Sequence, residues 1–215
     1  MSAAVRMRIA GILAAALAAA LCAPAAAQTL YGAEAPPEAA YVRMFRASGE
    51  VPSKPLVLGS TRFELPDPGT PTAYRPVSPD IYLIRSGGHT AEIITRAEGY
   101  FTVALTGVGI RVFEDPAHED PARSQLFLYN LSGLEQVSLS TEDGSIRVIG
   151  PLSPGQAGTV TVNAVSVPLA VYAGGELLEL LGDPVLERGS SYSAFVFERA
   201  GTISVMWTEA VLALD

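Results

Sequence analysis

The sequence has few of the residues that carry covalent chemistry or bind metals. Its 215 residues include one cysteine, Cys22, and two histidines, His89 and His118. Cys22 lies in an N-terminal stretch that we expect to be removed, so the mature chain would have neither a disulfide nor a thiol nucleophile. A lipoprotein is the alternative, but Leu21 stands where a lipobox has a small residue. The fold must then depend on hydrophobic cores, and this length suffices for one large domain or two small ones.

Positive charge is also scarce. Lys54 is the only lysine, and 14 Lys and Arg face 22 Asp and Glu, for a formal net charge of −8. Nucleic acid is excluded as a partner class, because neutralising phosphates requires clustered lysine and arginine. The same acidity argues against unaided binding to a polyanionic polysaccharide.

The first 27 residues have the pattern of a secretory signal. Arg6 and Arg8 precede a short apolar run, and small residues occupy positions −3 and −1 before a cleavage point between Ala27 and Gln28. The run is too short to favour a retained membrane anchor. We therefore expect an exported, acidic protein with no anchor in its mature form.

Short alternating segments dominate the rest of the chain. They are bounded by Gly, Pro, Ser and Asp, and no helical period lasts three turns after residue 30. The best exception, Glu176–Leu181, fits a strand or a single turn equally well. The pattern predicts an all-β fold with two tandem antiparallel β-sandwiches of jelly-roll or immunoglobulin-like type. The predicted strands are 41–46, 56–58, 81–85, 91–95, 100–105, 110–113, 125–130, 136–140, 146–149, 158–162, 169–172, 192–197 and 202–205.

A proline-broken acidic stretch divides the chain. The sequence EDPAHEDPA at 114–122 has four acids and two prolines, and it should not form a buried strand because charge resists burial and proline lacks a donor. We assign a signal peptide to 1–27, a leader to 28–40, a first β-sandwich module to 41–114, an acidic linker to 115–122 and a second module to 123–215.

The two modules resemble each other. YVRMFRAS at 41–48 matches QLFLYNLS at 125–132, and IYLIRSGG at 81–88 matches PLAVYAGG at 168–175. Each Gly-Gly pair predicts a tight hairpin turn, since type I′ turns need positive φ. One β-module of roughly 90 residues is thus predicted to occur twice.

No catalytic constellation or metal site follows from the sequence. His89 comes after a Gly-Gly turn, His118 lies in the acidic stretch, and no G-x-S-x-G motif is present. Asp143-Gly144-Ser145 is typical of a hairpin turn. The acids beside His118 lack an EF-hand or His-x-x-x-His spacing, so we expect no metal and no cofactor. Trp207 is a candidate for stacking on a sugar ring, with a place in the sandwich core as the alternative.

Near its start, the predicted mature chain has Leu30-Tyr31-Gly32, Pro36 and the opening strand Tyr41-Val42-Arg43. In this order, these motifs resemble the mature N-terminus of the AlgF family of alginate O-acetylation proteins. QLFLYNLS at 125–132 and VTVNAVSVPLAVY at 160–172 resemble its second module. The resemblance covers essentially the whole mature chain in collinear order. Arg46 departs from it, since the family tends to have asparagine there.

The resemblance implies a periplasmic, non-catalytic accessory protein required for O-acetylation of an exopolysaccharide such as alginate. Its implied partners are SGNH-like O-acetyltransferases and a membrane-bound O-acyltransferase. Two alternatives stay open: a carbohydrate-binding module that contacts the polymer directly, and an intermediate that carries acetyl groups. The acidic composition leaves the identity of the polymer open.

Two kinds of surface are candidates for partner binding. The first is the leader and opening strand, where the predicted role is partner recognition or docking of the leader; its residues are Leu30, Tyr31, Gly32, Pro36, Tyr41 and Arg43. The second comprises strand edges and the hairpin tips 86–90 and 173–176, because exposed edges are templates for strand pairing.

Overall fold

The computed structural model describes residues 38–51 and 54–213. The all-β prediction is confirmed: these ranges contain sixteen strands and no helix. They also contain no helix with the length and hydropathy needed to cross a membrane. The predicted signal peptide and the leader residues Leu30, Tyr31, Gly32 and Pro36 lie outside the described ranges.

Eight strands lie in each half of the chain. The first half contains β1 Ala40–Arg46, β2 Leu56–Leu58, β3 Thr61–Phe63, β4 Arg75–Val77, β5 Ile81–Ser86, β6 His89–Ile94, β7 Tyr100–Thr106 and β8 Gly109–Asp115. The second half contains β9 Arg123–Leu131, β10 Val137–Thr141, β11 Arg147–Leu152, β12 Ala157–Asn163, β13 Leu169–Ala173, β14 Glu176–Gly182, β15 Ser191–Arg199 and β16 Thr202–Glu209.

Each half contains a central four-stranded sheet of the same design. The strand orders are β4-β1-β7-β8 and β12-β9-β15-β16, so β1 and β9, which the internal sequence match relates to each other, occupy the same position. In each sheet the middle pair is parallel, β1 with β7 and β9 with β15, while the outer pairs are antiparallel. The alternating pattern did not predict the parallel pairs. Their strands are buried almost continuously, as is usual for parallel strands covered on both faces.

The first central sheet has an outer layer made of two hairpins, β2–β3 and β5–β6. Because side chains alternate along a strand, Val42 and Met44 of β1 point into the core beneath these hairpins. There they pack with Phe63, Ile84 and Ile93.

The second central sheet is covered by a second full sheet. This outer sheet has the order β11-β10-β13-β14. Leu126 and Leu128 of β9 pack against Leu139 of β10 and Val171 of β13. Each half therefore has a sandwich core of its own.

The opposite faces of the two central sheets pack against each other. Phe45 of β1 stacks on Phe195 of β15, with ring centroids 4.2 Å apart and an interplanar angle of 6°. Phe197 contacts Phe45 edge-on, and Phe127 and Tyr129 of β9 complete this third core. The two sandwiches are thus joined through their central sheets.

Most deviations from the sequence prediction occur in short or irregular strands. The Gly-Gly hairpins form as predicted, with φ of 57° and 81° at Gly87 and Gly88. Glu176–Gly182 is a strand, which resolves that ambiguity. β3 and β4 were not predicted: each has only three residues, and β4 contains Pro76. β8 extends to Asp115, the first residue of the predicted linker.

Candidate functional site

The junction between the two halves encloses an arginine. Arg43 of β1 is 1% exposed. Its Nε donates to the Thr102 hydroxyl at 2.8 Å, and its Nη2 donates to the hydroxyls of Tyr129 and Ser193, each at 2.9 Å. Thr102 belongs to the first half, whereas Tyr129 and Ser193 belong to the second. One guanidinium therefore forms hydrogen bonds with residues of both central sheets.

Asp115 closes the same network from the other side. It is 4% exposed and accepts hydrogen bonds from Tyr129 at 2.6 Å, Thr102 at 2.5 Å and Tyr74 at 2.7 Å. Thr102 and Tyr129 each accept from Arg43 and donate to Asp115. Positive and negative charge are thus linked through two shared hydroxyls.

Aromatic rings surround the guanidinium. The Arg43 Cζ lies 4.5 Å from the centroid of the Tyr74 ring, 5.2 Å from that of Phe195 and 5.5 Å from that of Tyr129. All three distances are within the range of cation–π attraction. The guanidinium therefore has aromatic faces around it in addition to its hydroxyl acceptors.

Burial is the largest single influence on the pKa values in this cluster. It raises the pKa of Asp115, and Arg43 and the three hydroxyl donors offset this only in part. It also raises the pKa of Tyr74 and of Tyr129, so both phenols stay protonated. Burial lowers the pKa of Arg43, but Tyr129, Tyr74 and Asp115 outweigh it and the net shift is upward. Because its hydrogen bonds join both halves, the cluster is suited to fixing the two halves in place.

The C-terminal segment adds a second link between the halves. The Tyr74 amide donates to the Val211 carbonyl at 2.7 Å, and the Ala213 amide donates to the Tyr74 carbonyl at 2.8 Å. A cavity of about 170 Å³ lies beside this link, lined among others by Tyr100, His118 and Ser191.

Ser191 and His118 both line this cavity and have the residue types of a nucleophile and a base. The Gln125 amide nitrogen donates to the Pro116 carbonyl at 3.1 Å, so the amide oxygen faces Ser191 and accepts its hydroxyl proton at 3.2 Å. That hydroxyl has only one proton. While that proton is directed at Gln125, it is not directed at His118 Nδ1, which lies 3.3 Å from the Ser191 oxygen.

No metal centre is formed in the part of the chain that the structure describes. Within residues 38–51 and 54–213, no three His, Cys, Asp or Glu side chains come together in a way that could hold an ion. A larger cleft of about 420 Å³ lies between loops of both halves and is lined by Glu50, Arg111, Ser132 and Glu198, among others.

The structure places the sequence-predicted residues as follows. Tyr41 is half-buried and stacks on Tyr100 at 4.8 Å, and Arg43 is enclosed in the junction. Trp207 is half-buried against the second sandwich core and lies parallel to Tyr192, with centroids 5.7 Å apart. One face of the indole is therefore covered by protein.

The polar turn residues behave as the sequence indicated. His89 is exposed at the start of β6. Asp143 accepts hydrogen bonds from the Thr141 hydroxyl at 2.6 Å and from the Ser145 amide at 3.0 Å. These bonds lower the pKa of Asp143 to about 2. It is a turn-stabilising carboxylate.

Large apolar side chains are exposed on the outer layer of the first half. Ile81 and Leu83 of β5 and Ile94 of β6 are each more than half exposed. Ile81 and Ile94 are direct cross-strand partners, and Leu83 lies two residues along on the same face. We call these three side chains the hairpin patch. Leu177 and Leu180 of β14 are similarly exposed on the second half.

A family model and several known proteins match this sequence. The family model described as "Alginate O-acetyl transferase AlgF" matches residues 13–193. Proteins named "Alginate biosynthesis protein AlgF" are 26% identical in Pseudomonas putida over 86% of this chain and 85% of theirs, and 26% identical in Pseudomonas aeruginosa over the same shares. The Azotobacter vinelandii protein of that name is 27% identical, over 84% of this chain and 82% of its own.

Among solved structures, the C-terminal domain of AlgF from P. aeruginosa is 27% identical to this chain. It covers 41% of this chain and 98% of its own length, with a TM-score of 0.38. The family match spans most of the sequence and includes the openings of both modules. This chain belongs to the AlgF family, whose curated relatives are alginate biosynthesis proteins.

Proposed function

We propose that this protein is a non-catalytic adaptor for O-acetylation of an exopolysaccharide such as alginate. It is exported to the periplasm and binds the SGNH-like O-acetyltransferases and the membrane-bound O-acyltransferase of the pathway. Family membership supports the pathway. The hairpin patch is the observation that carries the binding role.

The patch is unusual for a solvated sheet face. Ile81, Leu83 and Ile94 lie on the outer side of a two-stranded hairpin, at 60%, 53% and 62% exposure. Isolated apolar side chains are ordinary on protein surfaces, whereas contiguous groups mark interaction sites. A partner protein that covers this face would remove all three side chains from water.

The join between the halves supports the same role. An adaptor must hold its partners at a fixed separation, and the Phe45–Phe195 stack and the Arg43 hydrogen bonds fix one sandwich on the other. A partner bound to the first half is then held in a constant relation to whatever binds the second.

Capture of a purified periplasmic acetyltransferase by the immobilised mature protein tests this role. The variant with Ile81→Ser, Leu83→Ser and Ile94→Ser should lose at least tenfold in affinity while keeping its far-UV circular dichroism spectrum. The matched control is Val108→Ser, because Val108 is 85% exposed and lies outside the patch. Equal binding by both variants would refute the role of the patch, and no capture by the wild type would refute the adaptor function.

A further inference from the structure

The sheet edges of this protein differ in how well they are protected. An open edge strand is a template for pairing with another chain, and proteins normally block it with charge, proline or bulges. β4 contains Pro76, and β11 contains Pro151 and shifts register against β10. β14 contains two glutamates and two register shifts against β13. β8 lies beside β6 and carries the ion pair between Arg96 and Glu114.

β12 lies beside β11, as β8 lies beside β6, but it lacks charge, proline and a register shift. Its seven residues, AGTVTVN, include no charge and no proline. It pairs with β9 without a register shift, and in the described ranges no strand pairs with its other side. Thr159–Val162 are four consecutive β-branched residues, the type best suited to strand pairing.

Backbone hydrogen bonds show which residues of β12 face the open edge. The Asn130 amide donates to the Gln156 carbonyl at 2.9 Å, so position 156 bonds towards β9. Because bonding direction alternates along an antiparallel pair, Gly158, Val160 and Val162 also bond towards β9. The amides and carbonyls of Thr159 and Thr161 therefore point outward, and the side chains of both threonines are exposed.

The other edge of the same sheet is less open. β16 ends in Glu209, which accepts a hydrogen bond from the Ser190 hydroxyl at 2.9 Å. The chain then continues into the segment that pairs with Tyr74. A strand that approached β16 would meet a negative charge and this crossing segment at one end.

We propose that the edge of β12 accepts an extended segment of the periplasmic acetyltransferase as an added strand. This inference rests on the proposed adaptor function and specifies its contact on the second half. The accepted segment is uncharged over about six residues, because β12 offers no counter-charge to a charged strand. Main-chain hydrogen bonds to Thr159 and Thr161 would give the affinity, as in other strand additions.

The proposal is tested by removing one backbone hydrogen-bond donor, the amide of Thr161. Thr161→Pro removes an outward-facing amide and leaves the bonds to β9 in place, since proline is tolerated at a free edge. Thr161→Val keeps that amide and is the matched control. With the purified acetyltransferase as the probe, Thr161→Pro should weaken binding at least tenfold, whereas Thr161→Val should bind as the wild type does. Hydrogen exchange should also slow at the Thr159 and Thr161 amides in the wild-type complex.

The possible outcomes separate the two proposals. If the wild type binds and Thr161→Pro binds equally well, the edge inference is wrong and the adaptor function stands. The edge inference is equally overturned if binding occurs without slowed exchange in β12. If the wild type does not bind the acetyltransferase, both are wrong. A melting temperature for Thr161→Pro within a few degrees of the wild type, checked first, excludes unfolding as the cause of lost binding; if it falls further, the exchange measurement on the wild-type complex decides.

Discussion

Arg43 and Asp115 form hydrogen bonds to the same two hydroxyl groups. Arg43 donates to Thr102 and Tyr129, and each of these donates to Asp115. Thr102 lies in the first half and Tyr129 in the second, so the linked charges span the junction. A buried polar network is satisfied only in one arrangement of its members. We infer that it fixes one orientation of the two sandwiches, whereas apolar packing alone would tolerate several.

Removing the arginine should destabilise the whole protein. Arg43→Ala leaves Asp115 buried without its counter-charge, which costs about 3–5 kcal/mol in such pairs. Urea unfolding followed by fluorescence measures the loss. Arg85→Ala, at an exposed position of β5, is the control and should change the free energy of unfolding by less than about 0.5 kcal/mol. Similar values for both variants would mean that the network does not support the junction.

The ionisation of Asp115 should appear in the pH dependence of stability. Its pKa is raised in the folded state, so the folded protein binds a proton more tightly than the unfolded chain does. Asp115 therefore contributes its full stabilisation of the folded state below its unfolded pKa of about 3.9. This stabilisation is lost as pH rises through the pKa that Asp115 has in the folded state. The free energy of unfolding of the wild type minus that of Asp115→Asn should fall between pH 3 and pH 7. A difference that rises over that range would show that the pKa is lowered instead.

The ring stack should make unfolding cooperative across both halves. Phe195→Ala removes the ring that faces Phe45 at 4.2 Å and should cost about 3–5 kcal/mol, as buried Phe→Ala changes do. Calorimetry should show one transition for the wild type and a broadened or split one for the variant. Phe195→Leu keeps most of the volume and should restore a single transition. Two transitions in the wild type would contradict a rigid junction.

The sequence predicted the fold better than it predicted the junction. Period-two alternation reveals a strand, and Gly-Gly reveals a type I′ turn, because both are local consequences of backbone geometry. Alternation also shows that Arg43 points away from the core that holds Val42 and Met44. Alternation cannot show that the face of β1 that carries Arg43 is covered by the second half of the chain. A charged residue on the outer face of a strand is normally solvated.

The same limit applies to Asp115, which stands in an acidic, proline-containing stretch. Its burial depends on Thr102 and Tyr129, each supplied by a strand distant in sequence from Arg43. The sequence feature that could have revealed the junction is the pattern of the two opening strands, β1 and β9. Each strand has apolar residues on its core face, and Phe45 of β1 and Tyr129 of β9 add large aromatic residues on the other face. Strands of that kind indicate covering on both sides.

Trp207 should contribute to stability rather than to sugar recognition. Its ring lies parallel to Tyr192 and packs on the second core, so Trp207→Ala should cost up to about 3–5 kcal/mol. Thermal unfolding measures this effect, and titration with alginate oligosaccharides should show the same response for variant and wild type. Specific loss of oligosaccharide binding with unchanged stability would favour the carbohydrate-binding alternative.

Ser191 should not become acetylated. Its hydroxyl donates to the Gln125 amide oxygen at 3.2 Å, so its proton is not directed at His118. Intact mass spectrometry after incubation with an acetyl donor should show no stoichiometric adduct of about 42 Da. An adduct that disappears in Ser191→Ala would establish the acetyl-carrying alternative.

Under the proposed adaptor function, this chain promotes polysaccharide O-acetylation by binding and not by catalysis. The acetyl content of the secreted polymer tests it most directly, in a strain that lacks the gene and is complemented with variants. If the proposal is correct, deletion abolishes acetylation, wild type and Ser191→Ala restore it, and the Ile81→Ser, Leu83→Ser, Ile94→Ser variant does not, although it accumulates normally. Full acetylation without the gene, or failure of Ser191→Ala to restore it, would contradict the claim.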